Sequence, residues 1–356
     1  MKDKKLYLEV LRLTAFLFVI FNHTGRYGFD LFATTESGSL RSIVILLANL
    51  SKCGVPIFLM ISGALLIPKK EGIKDLYKKR FLKTAVVLLA ISLIYYIRLY
   101  IKHPEYGFSP RFFLQTVYTQ PFVTPLWFLY VYLAFLIMLP LLRKMTSGMN
   151  ESEYLYFIMA GILLTYLPPV LNPYMGGGMY LNVPILASAF FYPVIGYYLD
   201  AVFNPVKVIS RFRKIVPMVT RKFTVGAVFA VVLNALLCLY LTMKSYWKTG
   251  GWTYEYIESF LIIPSVCVFY IVKSLVGEGR PLSGAYRVIT YAGSCIFVIY
   301  LFEEIIREDI AIRIYGALEG SCPLLLLFVP YAVSVFAIGL IIASVLKLIP
   351  GVKKFV

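Results

Sequence analysis

The sequence predicts an all-α integral membrane protein of about ten transmembrane helices, with both termini in the cytoplasm. Three observations carry this. The 356-residue chain is 60% hydrophobic and 15% charged, with a mean hydropathy of +0.79, which is more apolar side chain than one soluble core can hide. Apolar runs of the length a bilayer helix needs, about 20 residues, recur from end to end. The basic residues also crowd onto alternate connections, as they do when those connections face the cytoplasm.

In chain order the spans are predicted at residues 6–27, 42–67, 81–101, 125–142, 154–171, 181–203, 223–243, 257–276, 287–305 and 322–349. None has the alternating ten-residue pattern of a closed barrel. A Lys-rich start such as Lys2, Lys4 and Lys5 can also open a cleavable signal peptide. Here Glu9 and Arg12 interrupt the apolar stretch early and no small-x-small site follows at 21–29, so it is read as a span.

The connection before the third span holds Lys69, Lys70, Lys74, Lys78, Lys79 and Arg80, and the one before the seventh holds Lys207, Arg211, Arg213, Lys214, Arg221 and Lys222. On the other side the 171–180 loop is uncharged, and the remaining outer loops mix scattered bases with acids. The longest outer connection, 103–124, is rich in aromatics and carries Pro104, Pro110 and Pro121, which predicts a structured cap or a short interfacial helix; Gly176 to Gly178 mark an outer turn. No repeat or low-complexity linker divides the chain, so residues 1–356 are read as one polytopic domain without a soluble appendage.

A net charge of +17 invites a nucleic-acid reading. The charges sit where the positive-inside rule places them, and anionic lipid headgroups account for them, so no nucleic-acid partner is expected. Cys53, Cys238, Cys267, Cys295 and Cys322 are scattered singly in apolar surroundings. They lack metal-site spacing, and His23 and His103 are the chain's two imidazoles. No metal is expected, and the thiols are read as small hydrophobes.

Charges inside a span are costly and mark a functional site or its support. Glu9, Arg12 and His23 stand at 0, 3 and 14 along the first span, within about 60 degrees of one another on a helix. Arg12 and His23 share a stripe about 20 degrees wide and are separated by about 16 Å along the axis. Such a helix can line a path from cytoplasm to exterior. The plainer alternative is a Glu9–Arg12 ion pair near the interface with His23 capping the span beside outer water.

Residues 8–23, LEVLRLTAFLFVIFNH, resemble the opening of the acyltransferase family 3 proteins, whose first span carries an Arg, ten residues, then a His; Arg12 and His23 stand at that spacing. GVPIFLMISGALL at 54–66 is similar to the family's second span, with Phe58, Ser62 and Gly63 in the expected places. KKRFLKT at 78–84, then Trp127, Phe128 and Leu129, then SCIFVIYLFE at 294–303 continue the resemblance over nearly the whole chain. Two departures stand out: Val86 and Val87 occupy a place where the family usually has Pro, and Glu303 stands where it often has His.

The resemblance implies transfer of an acyl group, commonly acetyl, from cytoplasmic acyl-CoA to a hydroxyl of a glycan or lipid-linked sugar outside a plasma membrane. His23 is then the expected base or acyl carrier, since imidazole exchanges protons near neutral pH. Arg12, Lys78, Lys79, Arg80 and Lys83 are candidates for the donor's phosphates, although inner loops carry such residues in any case. Ser62 can donate to a carbonyl, or with Gly63 allow close helix packing. Trp127 can wall the passage and stack on a sugar, or belong to the interfacial aromatic belt. Glu9 is a catalytic candidate together with Arg12 and His23, the alternative being its structural ion pair with Arg12. Glu303 at the end of the ninth span reaches the depth of His23 and can orient its ring; the alternative is a solvated helix end with Glu303 paired to Arg307. The runner-up function is a small-solute transporter built on the same stripe, and the third is a non-catalytic membrane partner or sensor.

Overall fold

The computed structural model describes residues 5–175, 188–204, 216–277, 284–321 and 323–354. Lys2 and Lys4, the 176–178 glycines, Lys207, Arg211, Arg213, Lys214 and Cys322 lie outside them. Among the described residues the chain is helical and holds no β-strand. The helices are α1 (Leu6–Asn22), α2 (Leu31–Thr34), α3 (Gly38–Lys52), α4 (Gly54–Leu66), α5 (Ile73–Leu76), α6 (Leu82–Lys102), α7 (Pro110–Thr119) and α8 (Trp127–Gly148). They continue as α9 (Glu151–Met175), α10 (Ser188–Tyr197), α11 (Val216–Thr249), α12 (Glu255–Ser259), α13 (Ile262–Val276), α14 (Gly284–Ile306), α15 (Ile312–Leu318) and α16 (Phe328–Leu348).

Seven helical segments among the described residues are long and apolar enough to cross a bilayer: Gly38–Leu66, Ile73–Lys102, Thr124–Gly148, Glu151–Met175, Arg221–Thr249, Gly284–Ile310 and Leu325–Leu348. They correspond to the second to fifth, seventh, ninth and tenth predicted spans. The first span is a helix of 17 residues, the sixth is described only from Ser188, and the eighth is broken. In the 103–124 connection α7 forms behind an N-cap in which the Phe112 N–H donates to Ser109 Oγ at 3.2 Å, so that connection does contain a short helix.

The broken eighth span shows what holds an irregular backbone inside an apolar bundle. Between α12 and α13 the chain leaves helical geometry at Phe260, freeing carbonyls that lipid could not satisfy. Asn49 Nδ2 donates to Ile257 O and Phe260 O, each at 3.2 Å, and Asn234 Nδ2 donates to Phe260 O at 3.1 Å and Asn49 Oδ1 at 3.2 Å. Tyr166 Oη accepts from the Ile263 N–H at 3.1 Å and donates to Asn234 Oδ1 at 3.0 Å. Side chains from α3, α9 and α11 thereby satisfy the break from three sides.

Small residues let α1 run at the centre. A Cβ on Gly54 would sit 2.7 Å from Ala15 O, and one on Gly293 would sit 2.3 Å from Glu9 Oε2, so α4 meets the backbone of α1 and α14 leaves room for the Glu9 side chain. The contact of α4 with α10 is closer still. A Cβ on Gly63 would lie 1.9 Å from Pro193 O, and one on Gly196 would lie 2.0 Å from Met60 O. Lys5 Nζ reaches Asp200 Oδ1 at 2.6 Å and the Tyr7 hydroxyl also donates to that oxygen, which ties the start of α1 to the π-helical turn Tyr198–Val202 after α10.

Candidate active site

The far end of α1 is fixed by side chains. The helix stops with His23 at its C-cap, at φ −86° and ψ 0°, and the chain turns through Gly25 at φ +52°, a backbone state that suits glycine. Thr24 Oγ1 donates to Phe21 O at 2.6 Å and accepts from the Phe29 N–H at 3.1 Å. Asn22 Nδ2 donates to Ser51 O at 2.9 Å, and Ser51 Oγ returns a bond to Asn22 Oδ1 at 3.2 Å. These bonds lock the residue before His23 onto α3.

The His23 ring is then held from behind. Nδ1 lies 2.8 Å from Glu303 Oε2, and the other oxygen of Glu303 accepts from the Tyr331 hydroxyl. Glu303 is 1% exposed. The expectation of a solvated helix end paired to Arg307 is therefore corrected: Arg307 bonds to Glu304, with Nε 2.8 Å from Oε2, because the ninth span carries Glu303 inward to α1 and α16. Arg307 balances the neighbouring carboxylate and leaves Glu303 to the imidazole and the phenol. Tyr315 stacks on Tyr331 and Tyr27 on Tyr315, with centroids 5.4 Å and 4.2 Å apart, closing this end of the bundle.

In front of His23 lies a cavity of about 510 Å³, within the range of small-molecule sites. At one end it is walled by His23, Val19, Phe58, Trp127, Phe128 and Tyr300. Ser62, Leu129, Tyr132 and Phe297 line its middle, and at the other end stand Arg12, Lys69, Lys79, Arg80, Lys83 and Ser294. The lining of α4 alone, from Val55 to Leu66, covers about 16 Å of depth. The structure thus brings Arg12 and His23 to the two ends of one cavity.

Of the other candidates, Lys78 is exposed and lines no part of the cavity. Glu9 is 3% exposed and bonds Arg12 Nη1 through Oε1 at 2.6 Å, so it stands behind the arginine rather than in the cavity. Of the two uses expected of Ser62 and Gly63, the structure shows the packing one. Gly63 makes the close approach to α10, while Ser62 lines the cavity and donates to Phe58 O at 2.9 Å. Trp127 lines the cavity and is also 41% exposed, so both of its readings have a geometric basis.

Beside the cations, Glu71 accepts from Arg80 Nε at 2.7 Å and Nη2 at 3.2 Å, and from Arg143 Nη2 at 3.0 Å. The bond from Arg80 chiefly, with Arg143 adding to it, holds the Glu71 carboxyl down at about 2 against the opposing effect of burial. Among the described residues no cluster of His, Cys, Asp and Glu converges as metal ligands would, and Cys53, Cys238, Cys267 and Cys295 are free thiols.

The family model described as an acyltransferase domain, acyltransferase 3, matches residues 5–348. The chain belongs to the acyltransferase 3 family. No curated protein and no solved structure matches it. The membership covers α1 through α16, so the cavity of this acyltransferase 3 protein lies wholly inside the matched region.

Sequence reasoning missed Tyr331, Tyr300, Glu71 and Arg143. Tyr300 donates to Pro125 O at 2.6 Å and forms part of the cavity wall. A phenol in an apolar span needs a partner, but with 28 tyrosines in the chain that signal selects no particular one.

Proposed function

We propose that this acyltransferase 3 protein is a plasma-membrane O-acyltransferase of about ten spans with cytoplasmic termini. It moves an acyl group, acetyl by preference, from cytoplasmic acyl-CoA to a hydroxyl of an extracytoplasmic glycan or lipid-linked sugar. One observation carries the reading: a single cavity has five cationic side chains at one end and a carboxylate-backed imidazole at the other. A transfer between compartments needs that polarity, with cations where an anionic donor enters and a proton acceptor where a hydroxyl arrives. A symmetric solute pathway does not need it, and family membership favours acyl transfer over the transporter reading.

In this reading the cationic end faces the cytoplasm, as the positive-inside rule requires. Lys79, Arg80 and Lys83 take the donor's phosphates, and Arg12 lies deeper, along the donor's thin arm. Glu9 keeps Arg12 extended by its 2.6 Å bond. Glu303 holds the ring through Nδ1, so Nε2 is the nitrogen available to substrate. Nε2 accepts the proton of the acceptor hydroxyl as that oxygen forms its bond to the thioester carbonyl carbon. The carbon–sulfur bond breaks, and the departing thiolate takes the proton back from Nε2. The Glu303 carboxylate, steadied by Tyr331, stabilises the imidazolium between those two transfers. In this reading Ser62 gives up its bond to Phe58 O to donate to the carbonyl oxygen, and Trp127 stacks on a sugar face at the outer opening.

The test is direct. Membranes containing the protein, incubated with labelled acetyl-CoA, transfer label to a carbohydrate fraction, and His23→Ala abolishes the transfer. Label that reaches no carbohydrate, or transfer that survives His23→Ala, would refute the reading.

A further inference from the structure

Arg80 is a cavity cation whose orientation is set at two points, and the residues that set it stand outside the cavity wall. Its Nε and Nη2 form a two-point grip on Glu71 at 2.7 Å and 3.2 Å, while Nη1 has no hydrogen-bond partner among the described residues. Glu71 is itself fixed. Arg143 donates to its side chain at 3.0 Å and to its backbone carbonyl at 3.1 Å, and the same guanidinium donates to Leu66 O at 2.8 Å, at the end of α4. Glu71 and Arg143 are each less than a fifth exposed, and Arg80 lies in the π-helical turn Tyr77–Phe81 that leads into α6. The staple therefore joins three elements and ends on one guanidinium at the cavity mouth.

We propose that Glu71 and Arg143 are positioning residues for the donor's phosphate group: they hold Arg80 edge-on so that its free nitrogen faces a phosphate in the cavity mouth. This rests on the reading of the basic end as the acyl-CoA entrance. A guanidinium fixed by a carboxylate along one edge keeps its remaining donors in a set direction, which suits the geometric recognition of phosphate. Lys79, by contrast, is two-thirds exposed and bonds Asp75 from outside at 3.1 Å. It supplies charge without a fixed direction.

Removing the Glu71 charge would also raise the positive potential of the mouth, so the informative variant keeps the charge and shortens the arm. Glu71→Asp retains the carboxylate but cannot span the two-point grip. Titration of the detergent-solubilised full chain with acetyl-CoA and with acetyl-pantetheine, which lacks the phosphates, separates the outcomes. Glu71→Asp is expected to weaken acetyl-CoA binding about tenfold, the equivalent of one charge-assisted hydrogen bond, and to leave acetyl-pantetheine within twofold of wild type. Arg143→Lys, which keeps charge but loses the branched donation, is expected to act in the same direction. Equal losses for both ligands, or no loss for either, would overturn the positioning role while leaving the donor assignment intact. A wild-type protein that binds acetyl-pantetheine as well as acetyl-CoA would overturn the donor entrance, and this inference with it.

Discussion

At the scale of single residues, the proposed site is an imidazole held by a chain of partners that the sequence keeps far apart. Glu303 is 280 positions from His23, and Tyr331 comes from a third helix. Glu303→Gln is expected to lower kcat on the order of a hundredfold, because the imidazolium loses its counter-charge and its fixed tautomer. Tyr331→Phe is expected to lower it about tenfold, the effect of one hydrogen bond to a charged group. Steady-state kinetics with the donor varied up to saturation check both, and an unchanged donor KM distinguishes them from damage to the entrance. Glu71 gives a prediction in pH. Its carboxyl sits at about 2 against an ordinary 4.5, a depressed value, so its contribution to stability is complete above the ordinary value and is lost as pH falls from about 4.5 toward 2. Thermal unfolding midpoints across that range are expected to fall more steeply in wild type than in Glu71→Gln.

What the sequence could reveal at this scale follows from locality. Arg12 and His23 were legible because both lie on one helix, where a period of 3.6 fixes their relative direction. That Glu303 reaches the depth of His23 followed from span order, but its burial and its pairing did not, since Arg307 offered an equally good partner on paper. Tyr331 and Arg143 were hidden because their roles exist only through contacts across the bundle.

At the scale of elements, close backbone contacts and one satisfied break hold the bundle together. Gly63→Val places a branched side chain where even a Cβ would lie 1.9 Å from Pro193 O; it is expected to separate α4 from α10 and to lower folded yield sharply, as measured by detergent-solubilised monodisperse protein. Asn234→Leu leaves the Phe260 carbonyl with one fewer donor and Tyr166 without its acceptor. A cost of about 1–3 kcal/mol is expected for such buried groups, read as a fall in unfolding midpoint. Hydropathy found the seven membrane-length helices seen among the described residues, though Ile73–Lys102 begins well before the predicted residue 81, because length and apolarity are all that a bilayer demands. It did not find the interruption at Phe260 or the junction at Cys53 that separates α3 from α4. Both are backbone events whose stabilising partners come from other helices.

At the scale of the whole molecule, the account joins two compartments through one polarised cavity. Family membership and seven membrane-length helices among the described residues define the class of protein; the sidedness is the central claim, and it can be measured. Membrane vesicles prepared in both orientations, sealed and supplied with labelled acetyl-CoA from outside, give the most direct test. Inside-out vesicles, with the Lys79 and Lys83 end facing the added donor, should label material on their enclosed face, right-side-out vesicles should not, and His23→Ala should silence the first. Equal labelling in both orientations, or labelling that His23→Ala leaves intact, would contradict the account.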